Sequence, residues 1–573
     1  MKTSHHQSAR RWLPGLAVLL ALGACAKGSP GAADDPPAAP VVPVPLPPEE
    51  PAEGLSERGP RPSNPFGPAP ARLRRLLVNQ YRNAVEDLLG VAAAGVANPP
   101  ADVPLNGFVS VGAADLSLSA SVVASFESSA AAAAAAAVAD ATSALHSVCT
   151  PSGVDDATCF AQVATRLGRR AFRRTLAADE VTRLSDLAVL AASSYDDVNK
   201  GLEYMTMGLL QSPHFLYMVE IGNPDDDDSA RRLTGTELAT RLSFFLTASP
   251  PSDELLAAAE AGSLTSTTAL QAEARALLTE PRAKEALRAY FSEKLQFELL
   301  PTLTRNDPGL TTTVRDHMVE ETLRTIEDIV WDRNSDAREL LTTKDTFVND
   351  ELAGYYGFAL PGSGALFSKV TSPVEQDRSG IFSQGAFLVR FAHPDRSSPT
   401  LRGKFLREQI LCSAVPAPPP DVVTTLPEQT NNNLPQTTRE RMLAHQIDPR
   451  CAACHASMDP MGFALEHFDQ FGRYRTHENG LPIDASAELD GAGADGASAF
   501  MGVLDKRSDM VSCLVRGLFR HGTGHLEEIG EDPSLYDVDT AFISSGMRLQ
   551  EGLVAIVVSD AFGFVNTLDE VQP

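Results

Sequence analysis

Residues 448–475 read DPRCAACHASMDPMGFALEHFDQFGRYR. What Cys451 and Cys454 do with the adjacent His455 decides which kind of fold surrounds them. A thioredoxin-like redox pair follows a strand in a βαβ setting. A zinc site needs two further soft ligands at regular spacing. Here the chain is proline-rich before the pair and helical in pattern after it, and Cys412 and Cys513 are distant in sequence. Cys-X-X-Cys-His is the attachment signature of c-type haem. The spacing has a chemical reason: two thiols add to the haem's two vinyl groups, and the next residue offers an imidazole to the iron. The stretch therefore predicts one covalent haem c, held by Cys451 and Cys454, with His455 as the proximal iron ligand.

The far side of the iron is open at this level. Met458 and Met461 lie too near His455 to reach over. Met501, Met510, His521, His525 and Met547 follow downstream, and His393 and His445 precede. Among these, His393, His445, Met510 and His521 are the distal candidates. A thioether ligand raises the potential, and a missing ligand leaves iron open to small molecules. Arg473 and Arg475 are placed by sequence to meet haem propionates, which need cationic partners. Asp459-Pro460 predicts the start of a helix whose Phe463, Leu465 and Phe468 would wall the haem.

The chain opens with MKTSHHQSARRWLPGLAVLLALGAC. Basic residues, an apolar run from Leu13 to Leu22 and small residues before Cys25 make a secretory signal, too short for a spanning helix. Leu22-Gly23-Ala24-Cys25 resembles a bacterial lipobox, which implies lipidation of Cys25 and, with Ala26 next, delivery to the outer membrane. Residues 26–70 are dense in Pro, Ala and Gly and read as a disordered tether. The alanine run Ser129–Asp140 is too short and too polar at its flanks to span a bilayer.

The net charge is −26, from 74 acidic and 48 basic side chains. That excludes a nucleic-acid partner, which would need a basic face. Of the seven cysteines, Cys25 goes to lipid and Cys451 with Cys454 to haem. Cys149, Cys159, Cys412 and Cys513 remain, an even number in an oxidising compartment. Cys149–Cys159 would clip a short loop and leave Cys412–Cys513 as a second pair. Parity alone fits equally a Cys451–Cys454 disulfide without haem.

Elsewhere apolar positions recur at helical spacing. Residues 71–90 read as a helix with a break at Asn79 and a stop at Gly90. The alanine-rich stretch Ser128–Ala141 reads as helix, as do two segments on either side of Thr175. Thr234 with Glu237 forms a capping box, and Ser252 starts another helix. Helical periods then cover 268–279, 284–299 and 312–331, and 361–379 reads as loop. The class is mainly all-α. The divisions are a signal at 1–25, a tether at 26–70 and helical modules at 71–145, 146–225 and 230–360. A cytochrome c-like haem-binding module at 375–480 and a C-terminal helical module at 481–570 complete the chain.

These segments resemble the large exported bacterial proteins, of planctomycete and myxobacterial type, that string helical modules of uncharacterised function ahead of a cytochrome c-like CxxCH module. LRRLLVNQYRNAVEDLLG, FAQVATRLGRRAFRRTLAADE, RRLTGTELATRLSFFLTASPPSDELL and RSGIFSQGAFLVRFAHPDRSSPTLRGKFLREQILC carry the likeness, with the stretch quoted first and DMVSCLVRGLFRHGTGH after it. The resemblance implies this module order and the haem motif at Cys451, Cys454 and His455. His393 and His445 fall where such proteins often keep histidine, whereas His521 departs from their usual aromatic. The expectation is single-electron transfer in the periplasm or at the outer membrane, with a redox protein or a small-molecule oxidant or reductant as partner. The alternatives are a peroxidase- or oxygenase-like haem oxidoreductase, or a surface lipoprotein binding polysaccharide or protein. For the last, Tyr290, Tyr355 and Tyr356 are platform candidates, although burial suits each better.

Overall fold

The computed structural model describes residues 54–567 except 116, 117, 228, 417–433 and 448, and does not describe the side chains of 444–447, 449, 450 and 453. The expected signal, Cys25 and the tether up to residue 53 lie outside the described residues. Helices dominate, and the described strands form only two-stranded ribbons.

An N-terminal bundle is built from α1 (Val78–Leu89), α2 (Ala120–Ala139), α3 (Ala157–Phe172), α4 (Ala178–Tyr195) and α5 (Val198–Gln211). Gly90 ends α1 with a φ of 100°, a conformation that favours glycine. Ser119 caps α2, accepting from the Val122 amide, so the helix begins well before the alanine run. At 20 residues, α2 is long and apolar enough by length and composition to cross a membrane, which the alanine run alone did not suggest. In the fold its Phe126, Ala130, Ala133 and Ala137 face is buried in the bundle core. A disulfide between Cys149 and Cys159 clips the chain entering α3.

Arg72–Arg75, read above as the start of a helix, is instead strand β1, antiparallel to β2 (Tyr217–Glu220). The local apolar period is overridden by a partner strand far along the chain. The pairing buries Arg74 beside Glu220, whose carboxylate also accepts from Arg241 Nε at 2.8 Å.

A second, larger core holds most of the remaining helices. These are α6 (Gly235–Thr247), α7 (Asp253–Glu260), α8 (Thr267–Leu278), α9 (Pro281–Lys294) and α10 (Thr312–Glu327), then α11 (Pro399–Phe405) and, with α12 (Thr438–Ile447) packed along it, α13 (Pro449–Phe463). The last four are α14 (Gly496–Leu504), α15 (Ser508–Thr523), α16 (Asp532–Ser544) and α17 (Leu549–Val557). The Thr234–Glu237 capping box opens α6, and Ser252 caps α7. Strand β3 (Arg231–Arg232) pairs with the C-terminal β10 (Phe564–Val565), and Pro70 bridges Asn566. Within 361–379, Ser368–Thr371 forms β5 against β4 (Asp345–Val348). The ribbons β6 (His477–Glu478) with β7 (Leu481–Pro482), and β8 (Ser486–Leu489) with β9 (Ala492–Asp495), follow α13.

Residues 54–70 are not the end of a tether. Arg58 and Arg61 pair with Asp539 and Asp537 of α16, and Ser56 bonds Lys506 and Ser508. Leu55 and Phe66 pack on the larger core. Side chains able to pair and to pack thus dock an arm that composition alone marks as extended.

A buried polar network joins the α10 region to the α13 region. Glu321 accepts from the Thr346 and Tyr356 hydroxyls, each at 2.6 Å. The Arg378 guanidinium lies over the Tyr356 and Phe468 rings and donates to the Gly472 carbonyl at 2.8 Å. The Cys412–Cys513 disulfide ties the segment after α11 to α15.

Candidate functional site

The cysteine–histidine motif lies inside α13, not ahead of a helix beginning at Asp459-Pro460. Pro449 accounts for the earlier start, since its fixed φ suits the first helical position and its missing N–H is no loss there. Pro460 is carried within the helix, where it removes one backbone bond, and α13 ends at Phe463.

Helical placement sets the chemistry. Cys451 and Cys454 are three residues apart, so their side chains share one face, and His455 stands one turn beyond Cys451. Both thiols are free and partly exposed. The other four cysteines of the described residues are locked in the Cys149–Cys159 and Cys412–Cys513 disulfides. Cys454 Sγ lies 3.8 Å from the Pro416 carbonyl oxygen.

His455 is anchored from below. Its Nδ1 is 2.8 Å from Asp459 Oδ2, one turn along the same helix. A carboxylate only accepts, so Nδ1 carries the proton. Asp459 has 0% exposure, and its Oδ1 accepts from Thr400 Oγ1 at 2.8 Å. The bond to Asp459 raises the His455 pKa above the usual histidine range, against the opposing pull of partial burial. An imidazole protonated at Nδ1 presents Nε2 as its ligating nitrogen.

Thr400 reaches Asp459 because α11 crosses α13 at very short range. A Cβ on Gly403 would lie 1.8 Å from the Met458 carbonyl oxygen, and one on Gly462 would lie 1.9 Å from the Pro399 carbonyl oxygen. Only glycine at both positions allows this crossing. Arg402, fully buried beside it, donates to the carbonyls of Leu465, Phe468 and Asp469, which fixes the chain where it leaves α13. Phe463, Leu465 and Phe468 are buried.

The expected propionate partners already hold carboxylates. Arg473 pairs with Asp307 at 2.7 Å and Asp469 at 3.3 Å, and Arg475 with Glu466 at 3.2 Å and Glu478 at 3.4 Å. A propionate would have to displace these. His393 lies in the loop leading to α11, where burial and Arg396 lower its pKa. His445 belongs to α12, which packs along α13, but its side chain lies outside the described residues. Met510 and His521 are on α15. Met510 lines a cavity with Tyr290 and Lys294, and His521 packs on Tyr290 and faces Glu293 at 3.3 Å. Neither is brought to His455 by these contacts. Tyr290 and Tyr356 are buried, and Tyr355 is partly so.

The sequence reading missed Asp459, Thr400 and Arg402. Asp459 had a signal: His-X-X-X-Asp within one helix puts both side chains on one face. No cluster of three or more His, Cys, Asp or Glu side chains able to hold a metal ion occurs among the described residues. What the site offers is one imidazole fixed through Nδ1 and two thiols on the same helix.

Four stretches match family models. Residues 74–139 match PSD3, a protein of unknown function (DUF1587), and 159–220 match PSD5, a protein of unknown function (DUF1595). Residues 233–358 match PSD4, a protein of unknown function (DUF1592), and 378–478, which include the motif, match PSCyt3, a protein of unknown function (DUF1588). No curated protein and no solved structure matches. Around this helix, then, stands a multi-module protein assembled from four domains whose families carry no established function.

Proposed function

We propose that the protein is an exported c-type haem protein that passes single electrons in the periplasm or at the outer membrane, anchored there through lipid on Cys25. Its partner is a redox protein or a small-molecule oxidant or reductant. One observation carries this reading. Two thiols stay free on one face of α13 beside an imidazole fixed through Nδ1, while the other described cysteines are joined in disulfides. Cys451 and Cys454 hold haem c, and His455 Nε2 ligates its iron. Haem c, when bound, supplies a one-electron couple. Thr400 and Asp459 keep the His455 ring in one tautomer and orientation. The name PSCyt3 of the model matched by 378–478 points the same way.

The buried Asp459 favours a second reading, a haem-dependent oxidoreductase with an open sixth position. A carboxylate on Nδ1 raises the basicity of the ligating imidazole, which favours oxidised iron. The test is to express the full chain with haem-maturation factors, denature it and measure retained haem by its pyridine haemochrome. Wild type retains one haem, and the Cys451→Ala, Cys454→Ala double variant retains none. Wild type without covalent haem refutes both readings. Spectral change with carbon monoxide or peroxide selects the second, and its absence selects the first.

A further inference from the structure

The α9 helix carries Tyr290 and Lys294 one turn apart on its buried face. They line a cavity of about 50 Å³, with Leu341, Phe382 and Met510 on its walls. Lys294 is 8% exposed. Its Nζ bonds Gln409 Oε1 at 3.2 Å and lies over the Phe108 ring. The Tyr290 hydroxyl is buried, with no hydrogen-bond partner among the described residues. Gly517 of α15 passes over both groups: a Cβ there would come within 2.7 Å of the hydroxyl and 3.4 Å of Nζ.

The charged and titratable neighbours are otherwise engaged. Glu293 faces His521 and accepts from the Val109 amide, and Arg520 is held by Glu527 at 2.6 Å. Among the described residues Gln409 is thus the one hydrogen-bond acceptor at Nζ, in an apolar setting, and burial pulls the Lys294 pKa down to about 7. A neutral amine in such a pocket is a nucleophile. A buried hydroxyl without an acceptor is a proton donor in waiting. The pair lacks one thing, an electrophilic carbon bearing an oxygen.

We propose that this cavity is a carbonyl site, in which Lys294 forms a Schiff base with a small apolar aldehyde or ketone and Tyr290 donates to its oxygen. The Nζ lone pair forms a C–N bond as the C=O π bond opens; the Tyr290 hydroxyl gives its proton to the oxygen and is reprotonated by one amine hydrogen of Nζ. The C–O bond then breaks, the hydroxyl leaves as water with the second amine hydrogen, and a neutral imine remains. No oxidant or reductant is consumed. A water occupies about 30 Å³, so the cavity holds only a few non-hydrogen atoms. The reading is independent of haem.

The experiment treats the full chain at pH 7 with acetaldehyde and cyanoborohydride, and follows N-ethylation of each lysine by peptide mass mapping. Lys294 should react at least about tenfold faster than Lys404, which is partly exposed and lies 3.8 Å from Glu408. Benzaldehyde, too large for the cavity, should reverse the order. Tyr290→Phe removes a hydroxyl that bonds nothing, and should slow Lys294 about tenfold while leaving Lys404 unchanged. The proposal is overturned if Lys294 reacts no faster than Lys404, if benzaldehyde labels both alike, or if Tyr290→Phe leaves the Lys294 rate unaltered.

Discussion

Replacing Gly403 by alanine tests the helix crossing on which the His455 anchor depends. The new Cβ would stand 1.8 Å from the Met458 carbonyl oxygen, 2.7 Å from the Met458 carbonyl carbon and 3.0 Å from the Gly462 amide nitrogen. Cβ atoms essentially never approach other atoms within 3.0 Å, so α13 must retreat by at least about 1.2 Å. The obstacle is backbone, so no rotamer change relieves it. A retreat of that size stretches the 2.8 Å Thr400–Asp459 bond beyond hydrogen-bonding range, to about 4 Å if it runs along the bond. Overpacking costs about 1–3 kcal/mol, and the lost bond adds about 1 kcal/mol. The total is about 2–4 kcal/mol. At about 2 cal/mol/K of unfolding entropy per residue, a chain this long shifts by only about 1 °C per kcal/mol, so the melting temperature should fall by about 2–4 °C. Gly502→Ala is the control, since nothing lies within 4 Å of a Cβ there and alanine suits the α14 interior. Circular dichroism melts of both variants decide the matter. Thr400→Val should cost about 1 kcal/mol alone and almost nothing in the Gly403→Ala background. A Gly403→Ala protein that melts like Gly502→Ala, or a Thr400→Val cost that stays additive, refutes the reasoning.

Three further outcomes follow from buried groups and cross-links. Burial raises the Glu321 carboxyl from 4.5 to about 7, so the unfolded chain releases that proton first. Stability from this group falls by about 3 kcal/mol as pH rises from about 4.5 to about 7. Glu321→Gln should therefore gain on wild type between pH 5 and pH 8 in urea midpoints, and parallel pH curves would count against it. Arg241→Met removes the guanidinium that hydrogen-bonds Glu220 and leaves Arg74, 3.7 Å away, as its ion-pair partner among the described residues, and should cost about 3–5 kcal/mol in denaturant unfolding. A loss within 1 kcal/mol would show, by the same principle, that Arg241 is dispensable. Replacing Cys412 and Cys513 together, 101 residues apart, should cost about 4–5 kcal/mol, and replacing Cys149 and Cys159, 10 apart, about 3 kcal/mol. Equal losses in urea titrations would contradict the loop-length argument.

The helical class was legible because its signals are local. The Thr234–Glu237 box, the Ser252 cap and the Gly90 stop each sit within one turn of the boundary they mark. Arg72–Arg75 failed for the opposite reason: its partner lies at Tyr217–Glu220, and no window around Leu73 contains it. The motif cysteines and His455 were readable from spacing, but the support beneath them was only half so. Asp459 stands at helical spacing from His455, but a helix start at Asp459-Pro460 puts His455 outside the helix and hides the pairing. Thr400 comes from another helix and is brought into reach by Gly403 and Gly462, which have no side chain to advertise the contact. The docking of residues 54–70 hid for the same reason as β1, since Arg58 and Arg61 find their carboxylates near residue 538.

The return of the C-terminal strand sets a timetable. Residues 563–566 lie between Ala69–Ala71 and Arg231–Leu233, and their backbone groups bond both edges. Chain leaving the ribosome therefore exposes first the 69–71 edge and later the 231–233 edge, and neither has its native partner until residues 563–566 are made. Every length that ends between residues 233 and 563 carries both edges open, ready to pair with a second chain. The N-terminal bundle can build its core early, but its junction with the larger body closes last. A chain ended before Gly563 would leave Ala69–Ala71 and Arg231–Leu233 without the strand that joins them.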